Sequence, residues 1–82
     1  MFYAYIIESE AFPGRRYTGF SANIKQRLID HNRGVNSSTK HGRPWKLIFS
    51  AAFLVEADAR AFETYLKTSS GKAFAAKRLL PR

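Results

Sequence analysis

The amino-acid sequence predicts an α+β domain with elements in the order β-β-α-β-α-α. Three observations carry that prediction. Phe2–Glu8 and Trp45–Val55 are runs rich in aromatic and apolar residues, of the kind that form strands. Ile24, Arg27, Leu28 and His31, and later Ala59, Phe62, Glu63 and Leu66, fall at i, i+3, i+4, i+7, the spacing of one helix face. Turn residues, Pro13-Gly14 and Gly34, stand where one pattern gives way to the next. With 82 residues, 45% of them hydrophobic and 15% aromatic, the chain is expected to hold one packed domain over residues 1–82.

Phe2–Glu8 places Tyr3, Tyr5 and Ile7 on one face and Phe2, Ala4 and Ile6 on the other. Both faces are apolar or aromatic, which suits an interior position in the sheet. Pro13-Gly14 within Ser9–Arg15 marks a hairpin, with Arg16–Phe20 returning as the second strand. Ser21 or Asn23 can cap the helix that follows, and Gly34 ends it. Residues 33–44, R-G-V-N-S-S-T-K-H-G-R-P, form a polar basic loop, long for so small a domain and therefore expected to be functional or disordered.

The third strand, Trp45–Val55, alternates Trp45, Leu47, Phe49, Ala51, Phe53 and Val55 against Lys46, Ile48, Ser50, Ala52 and Leu54. Glu56 and Asp58 then open a helix, where carboxylates suit the positive end of the dipole. Its stripe, Ala59, Phe62, Glu63 and Leu66, sets one carboxylate among apolar positions, a costly arrangement unless that group is paired or binds a cation. Ser69 or Ser70 can cap a last helix, Gly71–Leu80, closed by Pro81. Together these elements describe a small antiparallel or mixed sheet covered by helices.

The charge narrows the function. Fourteen Lys and Arg stand against six Asp and Glu, and residues 15–46 hold eight of those cations with Asp30 as their only acid. A basic segment so concentrated is the footprint of a polyanion binder. The absence of cysteine excludes a disulfide framework, a thiolate metal site and a cysteine nucleophile. Zinc would have only His31, His41 and carboxylates to hold it. No run approaches the ~18 apolar residues that span a bilayer, and the N-terminus lacks a signal-peptide pattern. A soluble, cytoplasmic protein without a membrane partner is the default expectation.

Tyr17–His31 falls inside this basic segment and carries the candidate chemistry. It reads as strand, glycine, cap and helix, with Arg27 and His31 one turn apart on the same face. Both are expected at the edge of the core, partly buried. Phosphodiester hydrolysis needs an activated water, neutralisation of charge on the phosphoryl oxygens, and help for the leaving oxygen. Arg27 offers a planar, permanently charged fork that suits phosphate. Glu63 is suited to one Mg²⁺ or Mn²⁺, which retains waters and meets the substrate's own oxygens. Tyr17 is positioned to take a proton from water, Tyr5 to hydrogen-bond the water or phosphate, and His31 to donate to phosphate or shuttle a proton. Lys25, Arg33, Ser37, Ser38, Thr39, Lys40 and Arg43 are the expected nucleic-acid contacts.

Tyr3-Ala4-Tyr5, Tyr17-Thr18-Gly19, Arg27 with His31, and Ala59, Glu63 and Lys67 on one helix together resemble the GIY-YIG endonuclease superfamily, most of all its small single-domain members. The resemblance covers nearly the whole chain. It implies a three-stranded antiparallel sheet flanked by helices. It also implies a divalent-metal-dependent nuclease, acting on DNA more readily than RNA, with a structure or a partner protein directing it. Tyr5 and Tyr17 match the two motif tyrosines, Arg27 and His31 the catalytic helix pair, and Glu63 the metal-binding carboxylate. Tyr3 and Ala4 stand where the family usually has Gly-Ile, Thr18 where it has Ile or Val, and no asparagine follows Glu63. A non-catalytic nucleic-acid-binding module on the same fold is the alternative expectation, and a basic adaptor for an acidic protein is a third.

Overall fold

A run of buried β-branched and aromatic residues makes β1 (Phe2–Ser9) the natural centre of a sheet, and the structure places it there. In this computed structural model, which describes residues 1–81, β2 (Arg16–Ser21) and β3 (Trp45–Phe53) flank β1. Both pairings are antiparallel and the strand order is β2-β1-β3. Ala4, Tyr5, Ile6 and Ile7 are all buried because both faces of β1 are covered.

One face carries α1 (Ile24–Arg33), whose Ile24 and Leu28 pack against Tyr5, Ile7, Trp45 and Tyr17. The other carries α2 (Glu56–Leu66) and α3 (Ser69–Arg78), whose Leu66 and Ala75 pack against Ile6, with Phe49, Phe62 and Leu79 around them. The three helices and three strands follow the expected β-β-α-β-α-α order of an α+β fold. Asn23, rather than Ser21, caps α1 by accepting from the Gln26 amide. Gly34 closes α1 in the left-handed conformation at φ 78°, which a residue with a side chain adopts only under strain.

Three local expectations need correction. The alternation assigned to β3 breaks at Ile48, an extra residue between Leu47, opposite Ile7, and Phe49, opposite Ile6. The bulge exchanges the faces, so Trp45 lies with Tyr5 and Ile7 on the α1 side, whereas Phe49 and Phe53 meet Phe62 of α2. A period of two cannot survive an unpaired insertion. The strand also ends at Phe53, with Leu54 and Val55 exposed in the turn before α2. Thr68, not Ser69 or Ser70, caps α3 by accepting from the Gly71 amide, so that helix starts two residues earlier than expected and ends at Arg78.

The basic loop after α1 is pinned, not loose. Lys40–Gly42 form a single 3-10 turn. The Trp45 indole N–H donates to the Thr39 carbonyl at 2.7 Å, and the Ser9 hydroxyl donates to the Gly42 carbonyl at 2.6 Å. The Asn32 side-chain amide clamps the Trp45 backbone, its oxygen accepting from the amide at 2.6 Å and its nitrogen donating to the carbonyl at 3.1 Å. These bonds hold the loop between the end of α1 and the start of β3.

Candidate active site

Tyr5 leaves the central strand on the α1 face and lies across Gly19, its cross-strand neighbour on β2. Gly19 leaves room for it: a Cβ at that position would collide with the Tyr5 hydroxyl. The phenol thereby reaches α1, where its oxygen sits 2.7 Å from His31 Nε2. On the far side of the ring, His31 Nδ1 sits 2.7 Å from the Thr39 hydroxyl. His31 and Thr39 have no exposed surface and Tyr5 only 2%. Tyr17, half-buried at the start of β2, presents its ring to the same imidazole in an edge contact at 5.2 Å between centroids.

Burial sets the protonation states. The Tyr5 phenol is held well above the ordinary tyrosine range, first by loss of solvent and then by Tyr17 and Glu63, with Arg27 opposing. Burial also pushes the His31 imidazole below its usual value, and the Arg27 charge pushes it further the same way. At neutral pH this pair is therefore a protonated phenol on a neutral imidazole.

Arg27 lies one turn before His31 on α1 and close enough to act on both members of the pair. It is exposed, not partly buried as its place on the stripe suggests; a long side chain at the edge of an apolar face can keep its charged head in water. Glu63 comes from α2 and its charge is felt at Tyr5. Its side chain is only 15% exposed, and the carboxylate holds the Lys67 ammonium at 2.7 Å. Tyr5, Tyr17 and His31 thus meet from β1, β2 and α1, with the charges of Arg27 and Glu63 felt at Tyr5.

The expected nucleic-acid contacts divide. Lys25, Arg33, Ser37, Ser38, Lys40 and Arg43 are exposed. Arg43 donates through Nε to the Lys40 carbonyl at 2.8 Å, which holds its fork over the end of α1. Lys40 and Arg43 join Asn32, His41 and Pro44 around an open depression of about 500 Å³. Thr39 departs from expectation. It is wholly buried, with its hydroxyl engaged by His31, and has no surface to offer a phosphate. A hydroxyl in a polar loop reads as exposed until the loop is seen to fold back over the helix. Asn32, Trp45 and Ser9, which brace this loop, were not singled out from the sequence; a lone Trp beside a Pro at a loop's end was the only available signal.

A family model described as the GIY-YIG catalytic domain matches residues 1–77. The chain belongs to the GIY-YIG family. Its relatives include a UPF0213 protein of Streptococcus agalactiae, 34% identical over 71 residues that make up 85% of this chain and 81% of that protein. A UPF0213 protein of Staphylococcus saprophyticus is 35% identical over 69 residues, 83% of this chain and 82% of its own length. Membership in a family of nuclease domains gives the chain an endonuclease-type role and a nucleic acid as substrate.

GIY-YIG nucleases generally use a divalent metal. Among the described residues, no cluster of three or more His, Cys, Asp or Glu side chains is assembled to cage one. The donor set fits a cation that a single hard carboxylate, Glu63, shares with water and substrate oxygens, which is the usual manner of Mg²⁺ at phosphate sites. It does not fit a cation retained by protein ligands alone. Among the described residues, no helix is long and apolar enough to cross a membrane.

Proposed function

We propose that this GIY-YIG domain is a divalent-metal-dependent endonuclease of the cytoplasm, cutting DNA in preference to RNA under the direction of substrate structure or a partner protein. The observation that carries the reading is the Tyr5–His31 hydrogen bond of 2.7 Å, within reach of the charges of Arg27 and Glu63 and in contact with the Tyr17 ring. A phenol alone, with a pKa of about 10, is a poor base at neutral pH. With a neutral imidazole behind it, Tyr5 can accept a proton without ever standing free as phenolate.

In the proposed step, a water oxygen attacks the phosphorus and passes one proton to the Tyr5 oxygen as the phenolic proton moves to His31 Nε2. The bond from phosphorus to the leaving oxygen breaks, and that oxygen takes a proton from solvent. Arg27 neutralises the charge growing on the phosphoryl oxygens. Tyr17, expected from the sequence to act as the base, makes no such hydrogen bond to an imidazole among the described residues; its phenol is assigned to orient the water or the phosphate. Glu63 would hold the cation, which when bound supplies positive charge to the phosphate oxygens. Lys25, Arg33, Ser37, Ser38, Lys40 and Arg43 are proposed backbone contacts, of a kind that position a duplex without reading its bases.

Supercoiled and branched DNA incubated with Mg²⁺ or Mn²⁺ tests the reading, with a matched RNA as the second substrate. Nicking by the wild-type protein, lost in Arg27→Ala and Glu63→Ala variants that remain folded, is the expected result. Variants that cut as well as wild type would overturn the assignment. The engaged Glu63–Lys67 pair and the missing downstream asparagine favour a second reading, a binding module without catalysis. That reading requires DNA binding unaffected by EDTA and no nicking with either cation.

A further inference from the structure

The proton that connects His31 to the loop decides what Tyr5 can do, and the hydrogen-bond chain around Thr39 points to its location. Thr39 Oγ1 lies 2.7 Å from His31 Nδ1 and 3.4 Å from the Asn36 carbonyl oxygen. A carbonyl only accepts, and a threonine hydroxyl commonly donates to a carbonyl three residues back. With its proton turned to Asn36, the Thr39 oxygen must accept from His31, which requires a proton on Nδ1. A neutral imidazole with Nδ1–H has a bare Nε2, and Tyr5 then donates its hydroxyl proton there.

We propose that Thr39 is a positioning residue that fixes the Nδ1–H tautomer of His31 and so commits the Tyr5 hydroxyl proton to Nε2. This inference rests on the nuclease reading above for its functional consequence. In this tautomer the Tyr5 oxygen, its own proton committed to Nε2, keeps a lone pair free to receive another proton. In the opposite tautomer His31 donates to Tyr5 and Nε2, already protonated, cannot accept. The placement of Thr39 is rigid: its carbonyl accepts from the Trp45 indole at 2.7 Å and from the Gly42 amide at 3.1 Å, and its own amide donates to Asn36 at 3.1 Å.

Long-range ¹H–¹⁵N correlation of the histidine-labelled protein at neutral pH reads the tautomer directly, with His41→Gln used only to assign the second ring. The expected result is a protonated Nδ1 and a bare Nε2 on His31 in the free wild-type protein. Thr39→Val, which keeps the shape and removes the acceptor, should lose that signature and lower kcat by about 10- to 100-fold with little change in KM, the scale seen when partners that orient a metal-bound histidine are removed. Thr39→Ser should restore both. A wild-type ring protonated on Nε2 would overturn the proposal, as would a folded Thr39→Val protein with unchanged tautomer and unchanged kcat. If Thr39→Val does not fold, the wild-type signature and its retention in Thr39→Ser still decide the matter. A wild-type protein that cuts nothing yet carries Nδ1–H leaves the positioning geometry standing and removes the nuclease reading instead.

Discussion

The Tyr5 hydroxyl and His31 Nε2 lie 2.7 Å apart across the gap between the central strand and α1, with His31 wholly buried and Tyr5 2% exposed. Removing the hydroxyl has two separable consequences. Tyr5→Phe leaves a buried ring nitrogen without a partner, which should cost about 1–3 kcal/mol of stability in denaturant unfolding. It should also lower the cleavage rate by about 10²-fold or more, the usual contribution of a positioned proton acceptor. Gly19→Ala should reproduce the loss of cleavage with the hydroxyl still present, because the added methyl displaces the phenol from His31.

His31 makes the protein sensitive to acid. Its pKa is held below the ordinary 6.5 by burial and by Arg27. Above that value the imidazole is neutral whether the chain is folded or not, and this group contributes no pH dependence. As pH falls below it, the unfolded chain takes up a proton that the folded chain resists, so stability is lost on the acid side. Urea midpoints should decline as pH drops below about 6.5, and His31→Gln should flatten that part of the curve. The acid limb of kcat/KM should have its midpoint below the ordinary histidine value.

Arg27 is exposed, so replacing it should leave the thermal midpoint nearly unchanged. Arg27→Ala is expected to lower kcat by roughly 10²- to 10³-fold, as for removal of a preorganised charge donor. Arg27→Lys should recover only part of this, since an ammonium lacks the planar fork. Single-turnover cleavage alongside a melting curve separates the two effects.

Glu63 holds Lys67 at 2.7 Å, and a cation must compete with that ammonium. Lys67→Ala should therefore reduce the Mg²⁺ or Mn²⁺ concentration needed for half-maximal cleavage. Because the Glu63 side chain is only 15% exposed, leaving it without its partner should cost about 1–3 kcal/mol of stability, more than the loss of an exposed i,i+4 pair. Glu63→Gln should abolish cleavage at any metal concentration while the protein stays folded. Equal metal requirement in wild type and Lys67→Ala would show that Glu63 is not the ligand.

Lys40 and Arg43 line the open depression on the pinned loop. If each meets a phosphate, Lys40→Ala and Arg43→Ala should each reduce the slope of log affinity against log salt by about one. The loss should be similar for unrelated DNA sequences. Fluorescence anisotropy over a salt series measures it.

Much of the architecture was legible because it depends on local chemistry. The alternating faces of Phe2–Glu8, the Pro13-Gly14 turn, and the helical stripes at Ile24–His31 and Ala59–Leu66 each follow from the period of one element. The motif positions Tyr5, Tyr17, Arg27, His31 and Glu63 were legible as residue types at a spacing. Their relation was not. The face exchange at Ile48 comes from a register shift between two strands, which no single strand encodes. Thr39 read as a surface hydroxyl because its burial depends on Trp45, Asn32 and Ser9 closing the loop over α1.

The sequence by itself determined the element order, the basic character of residues 15–46 and the set of side chains able to meet a phosphodiester. Tertiary structure alone decided how those side chains are deployed. It took His31 out of solvent, set Tyr5 against it through the space left by Gly19, and left Arg27 outside. Hydrogen-bond partners and burial arise between elements distant in the chain, and these set the protonation states of Tyr5 and His31.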